Sequence, residues 1–128
     1  MCRKGVGMTG INAISFRNQQ KQALIKKNYN EIYAHELAHK NAAGSLGGAI
    51  VIEKNSEGIP IGGHVSIKMP KLNRKNPEET IKQANIVMKA ALAPNDPSAQ
   101  DLKVASEANA IKSQAESIQN RKKLDYYA

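Results

Sequence analysis

Only one cysteine, Cys2, occurs in this chain, so no intramolecular disulfide can form and no thiolate cluster can hold a metal. That fits a reducing compartment. Tryptophan is absent, and the aromatic residues are Phe16, Tyr29, Tyr33, Tyr126 and Tyr127 alone. A core must therefore come from Ile, Leu, Val, Ala and Met, which suits small helices packed on a small sheet. No run approaches the ~20 apolar residues that cross a bilayer. The basic residues near the start are not followed by the apolar stretch of a secretion signal. The expectation is a soluble chain without a membrane span, cytoplasmic by default.

What is present amounts to one domain's worth of sequence: 128 residues with an ordinary apolar share of 41%, which excludes global disorder. The net charge of +8 is unevenly spread. Residues 1–77 are strongly basic, residues 78–119 slightly acidic, and the tail basic again. A basic surface raises nucleic acid as a partner. However, Lys68, Lys71, Arg74 and Lys75 cluster without an aromatic for base stacking, so they read as a solvated loop.

Along the chain, residues 1–14 are Gly-rich and unpatterned and read as a flexible segment. From Ser15 to Ala43 there is neither Pro nor Gly, and helix formers dominate. Ile25, Tyr29, Ile32, Glu36 and His39 recur at helical steps as one stripe, and Gly44 is the natural stop. The period then changes. Ala49–Ile52 is β-branched, Asn55–Gly58 is a turn signal, and Ile61, Val65 and Ile67 supply apolar positions around Gly62-Gly63-His64, so a β-hairpin is expected. A helix from Pro77 to Ala93 follows, with acids in its first turn, broken by Pro94-Asn95-Asp96-Pro97. Ser98-Ala99-Gln100-Asp101 resembles a capping box with Asp in place of Glu. The helix after it carries an apolar stripe of Leu102, Ala105, Ala108, Ile111, Ala115 and Ile118. Residues 120–128 are a polar tail. The fold class is α+β: a long helix, a small antiparallel hairpin and two further helices, in one domain over 15–119.

The chemistry concentrates in His35-Glu36-Leu37-Ala38-His39. This is the HExxH pattern of zinc hydrolases, on a stretch that should be helical. Residues four apart lie about 40° and roughly 6 Å apart on one helix face, so two imidazoles can bind one Zn²⁺ without bending the backbone. Glu36 stands between them, placed to take a proton from water activated by the metal. An accidental HExxH is common in unrelated proteins. Here the motif continues the core-facing stripe, where unpartnered ionisable groups would cost on the order of several kcal/mol. A catalytic site needs a third protein ligand. His64, directly after two Gly, is the expected one, with Glu53, Glu57, Asp96, Asp101 and Glu107 as other candidates. Ser45 stands where the short pattern would place a third His.

Four blocks in order carry a wider resemblance: Ala34-His35-Glu36-Leu37-Ala38-His39 with Ala43-Gly44; Gly62-Gly63-His64-Val65-Ser66-Ile67; Ala90-Ala91-Leu92-Ala93-Pro94; and Pro97-Ser98-Ala99-Gln100-Asp101. Over about residues 31–110 the chain resembles the SprA-related family of bacterial proteins, read as metalloproteases. The resemblance implies zinc on His35 and His39 with Glu36 as base. It also marks Asp101 and the Ala-Pro segment before it as family signatures, Asp101 either orienting a ligand histidine or capping its helix. The family commonly has Glu at the place of His64, and many relatives carry a longer, low-complexity N-terminal segment.

The expected function is a zinc-dependent metallopeptidase, a minimal zincin-like domain with a peptide or protein as substrate. No separate substrate-binding domain is visible, so an auxiliary protein partner is expected as well. Two alternatives stay open: a non-catalytic, zinc-stabilised protein-binding module, and a basic nucleic-acid-binding protein.

Overall fold

The computed structural model describes the backbone of residues 2–127 and the side chains of residues 13–126. Helix α1 (Cys2–Ala43) leads through a short 3-10 turn (Gly44–Leu46) into strands β1 (Gly47–Lys54) and β2 (Pro60–Ile67). Helices α2 (Pro77–Ala91) and α3 (Ala99–Tyr127) follow. The two strands form a two-stranded antiparallel sheet, so the class is α+β. Helix α1 starts at Cys2, well before Ser15. Gly5, Gly7 and Gly10 each disfavour helix by about 1 kcal/mol, but no proline interrupts the segment. The side chains of residues 1–12 in the expected flexible segment lie outside the described residues. At the other end α3 continues through the polar tail to Tyr127.

By contacts the chain divides into two compact units. One joins residues up to Ala34 with Ile52–Gly63. Its hairpin turn is held by Asn55, whose Oδ1 accepts the N–H groups of Glu57 (2.9 Å) and Ile59 (3.0 Å). Gly58 sits at φ +79°, a left-handed conformation that the turn requires and glycine adopts without strain. Asn28 donates from Nδ2 to the Pro60 carbonyl at 3.0 Å. The helix stripe therefore runs through Asn28 rather than Tyr29. Tyr29 instead stacks on Tyr33 with ring centroids 5.7 Å apart, both rings partly exposed. Ile61, one of the apolar positions of the hairpin, is 65% exposed.

The second unit holds His35–Val51 and His64–Ala128. Gly44, at φ +57°, ends α1 by a turn that a side chain would strain. Gly47 then brings β1 so close that a Cβ there would stand 3.2 Å from Ala43 Cβ. Helix α2 buries Pro77, Thr80, Ala84, Val87, Ala90 and Ala91, a run of three- and four-residue steps. Helix α3 answers with Ala108 and Ala115, both sealed from solvent. Alanines at this seam let the two backbones approach closely. Buried Thr80 ties the preceding loop down, donating to the Lys71 carbonyl (2.9 Å) and accepting from Asn73 N–H (2.7 Å). The α3 stripe differs from the expected one at Leu102, which is 56% exposed. Its inward line is Asp101, Ala108 and Ala115, a seven-residue spacing that turns Asp101 toward the interior.

Candidate metal centre

The last turns of α1 carry His35, Glu36 and His39, with Glu36 and His39 buried and His35 partly so. Helical spacing brings the rings together edge to face, centroids 4.9 Å apart, with the two Nε2 atoms separated by 3.2 Å. The third member comes from the start of α3. Asp101 Oδ1 lies 3.2 Å from His39 Nε2, and its Oδ2 lies 3.3 Å from His35 Nε2. Among the described residues, His35, His39 and Asp101 are the group whose donor atoms converge closely enough to hold a metal ion.

Asp101 owes its position to the helix cap. Ser98 N–H donates to Asp101 Oδ2 at 2.8 Å, and Asp101 N–H donates to Ser98 Oγ at 3.1 Å, the reciprocal pair of a capping box. Leu102 N–H closes the first turn on the Ser98 carbonyl at 3.0 Å. Asp101 therefore caps α3 and faces both histidines at once. Burial alone would raise its pKa, but the Ser98 hydrogen bonds and the nearby His39 and His35 outweigh this and hold it below the ordinary value.

The outward ring nitrogens are occupied too. His39 Nδ1 donates to the Ala90 carbonyl at 2.8 Å, and His35 Nδ1 lies 3.2 Å from Asp96 Oδ1. Ala90 lies in the last turn of α2, where carbonyls lack partners within the helix and the dipole is negative. A carbonyl and a carboxylate can only accept, so with Nε2 given to a cation each ring would carry its hydrogen on Nδ1, where Ala90 and Asp96 receive it. Two Nε2 atoms and one carboxylate then face one another at 3.2–3.3 Å, close enough to share one cation. Around a zinc ion with bonds of about 2.0–2.1 Å, tetrahedral edges measure about 3.3–3.4 Å. The residues fit such an ion in both spacing and chemistry.

The sequence profile of the SprA-related family matches residues 8–123. The chain belongs to the SprA-related family. No curated protein and no solved structure gives a significant match.

The four blocks of this SprA-related chain now have places. Ala34–His39 forms the donor turns of α1, Ala90 supplies the carbonyl that fixes His39, and Ser98 to Asp101 builds the cap and the third donor. The remaining block lies apart from the converging group. His64 is exposed on β2 and is not a member of the converging group. The period of two along β2 puts His64 and Ser66 on the exposed face and Val65 and Ile67 on the other. Asp101 rather than His64 is the third member of that group. Of the other candidates, Asp96 stands behind His35, while Glu53, Glu57 and Glu107 are outside the group. Sequence spacing could have found Asp101 through its seven-residue register with Ala108 and Ala115. The Ala90 carbonyl, a backbone atom, left no such trace.

Glu36 follows His35 on the same helix and is buried. It is only 7% exposed, and none of its oxygens is both sealed from solvent and unpartnered. Beside it, the three converging side chains offer one donor each.

Proposed function

We propose that this chain is a zinc-dependent hydrolase acting on peptide bonds, with His35, His39 and Asp101 holding the metal and Glu36 as general base. The observation that carries the reading is the meeting of two Nε2 atoms and one carboxylate, 3.2–3.3 Å apart, beside a buried glutamate on the same helix. Three protein donors leave one position of a tetrahedron for water or substrate, the pattern of catalytic sites, whereas structural zinc sites use four. This favours catalysis over a zinc-stabilised binding module.

Zinc bound there supplies a Lewis acid that polarises a carbonyl and lowers the pKa of water to about 7. Glu36 takes a proton from the attacking water as its oxygen bonds to the carbonyl carbon. When the carbon–nitrogen bond breaks, Glu36 passes that proton to the leaving amine. Ala90 and Asp96 hold the two imidazoles in the orientation that keeps Nε2 available.

The test is cleavage of a peptide library by zinc-loaded wild type and Glu36→Gln. Cleavage by the wild type, with at least about a hundredfold loss in a variant that still binds zinc, supports the mechanism. Equal cleavage by both would remove Glu36 from it, and binding of zinc without any cleavage would return the binding-module reading.

A further inference from the structure

The two histidines are fixed in different ways. His39 is buried, and its Nδ1 is held at 2.8 Å by a backbone carbonyl that no side-chain change can remove. His35 is partly exposed, and its Nδ1 faces one side chain, Asp96, at 3.2 Å. Asp96 lies on the loop between α2 and α3 and is 90% exposed. Pro97 directly after it restricts its backbone, and Pro94 restricts the loop two residues before. A stiff loop therefore presents one carboxylate to one ring.

We propose that Asp96 is a positioning residue that sets the tautomer and orientation of His35. A neutral histidine side chain in water favours the Nε2–H form, which would put a hydrogen where a metal donor is needed. Two carboxylates compete for the one ring hydrogen, Asp101 at Nε2 (3.3 Å) and Asp96 at Nδ1 (3.2 Å); with Asp96 accepting it, the Nε2 lone pair is left facing Asp101 and His39. Asp96 touches the far side of the ring and contributes no ligand atom to the converging group. His35 is thereby the adjustable half of the pair, and the α2–α3 junction acts on both rings: Ala90 on His39, Asp96 on His35. That this orientation serves metal binding rests on the zinc reading above; the effect on the ring does not.

The experiment has two arms on the full chain. In the first, the ring nitrogens of metal-free wild type, Asp96→Ala and Asp96→Asn are recorded by ¹⁵N NMR at alkaline pH, where imidazoles are neutral. His35 is expected as Nδ1–H in the wild type and in Asp96→Asn, whose amide oxygen still accepts. In Asp96→Ala it shifts toward Nε2–H, while His39 stays Nδ1–H throughout and reports an intact fold. In the second arm, zinc affinity by chelator competition falls about tenfold in Asp96→Ala and is largely retained in Asp96→Asn. An unchanged His35 tautomer in Asp96→Ala overturns the proposal. Unchanged zinc affinity despite a changed tautomer overturns its bearing on metal. If the wild type itself takes no zinc, the metal reading fails, and the NMR arm still decides whether Asp96 sets the ring.

Discussion

Asp101 faces His39 at 3.2 Å between Oδ1 and Nε2 while its other oxygen accepts the Ser98 N–H at 2.8 Å. One carboxylate thus belongs to a helix cap and to a group of metal donors, and substitutions can separate the two duties. Asp101→Asn keeps an oxygen for the Ser98 N–H but loses the negative charge. It should bind zinc at least about a hundredfold more weakly, since breaking a three-donor set costs more than disturbing an outer acceptor. Near neutral pH its metal-free thermal stability should fall only by what the ionised carboxylate contributes. Asp101→Ala should lose zinc and also about 1 kcal/mol of stability from the cap. Chelator competition and thermal unfolding separate the two effects.

Acid should weaken the metal-free fold partly through the same residue. The Asp101 pKa lies below its ordinary 3.8. A group whose folded pKa is depressed stabilises the fold when ionised, so its contribution is complete above the unfolded value and is lost as pH falls through the folded one. Unfolding temperatures of chelator-treated wild type should therefore fall more steeply in that acidic window than those of Asp101→Asn. Parallel curves would contradict the assignment.

Glu36→Gln is expected to leave zinc content unchanged and to lower kcat by about 10²–10⁴-fold, with little effect on KM. The amide keeps the size of the side chain but cannot take a proton. Steady-state kinetics on any peptide the wild type cleaves will measure this.

The α2–α3 seam should tolerate no added bulk. Ala108 is sealed from solvent in that seam, and Ala108→Leu should destabilise the fold by about 1–3 kcal/mol through overpacking. The same displacement would move the Ala90 carbonyl away from His39, so zinc affinity should fall together with the denaturation midpoint.

Much of this architecture was legible in the residues. The change from helical to alternating period located the hairpin, and Ser98 with Asp101 announced the cap that the hydrogen bonds display. HExxH spacing placed His35 and His39 on one face because that geometry is local to a helix. The third donor was not local. The two glycines just before it made His64 attractive, yet strand alternation puts it on the exposed face, and only the packing of α3 turns Asp101 inward. Leu102 failed for the same reason: periodicity gives a stripe's spacing, while its phase comes from the neighbouring helix. Tyr29 fell off the α1 stripe because Asn28 takes the inward position and binds the Pro60 carbonyl.

Metal content by mass spectrometry decides the donor set, measured on untagged wild type, Asp101→Asn and His64→Ala after zinc reconstitution. One zinc per chain is expected in the wild type and in His64→Ala, and loss in Asp101→Asn. Zinc retained by Asp101→Asn and lost by His64→Ala would contradict that donor set.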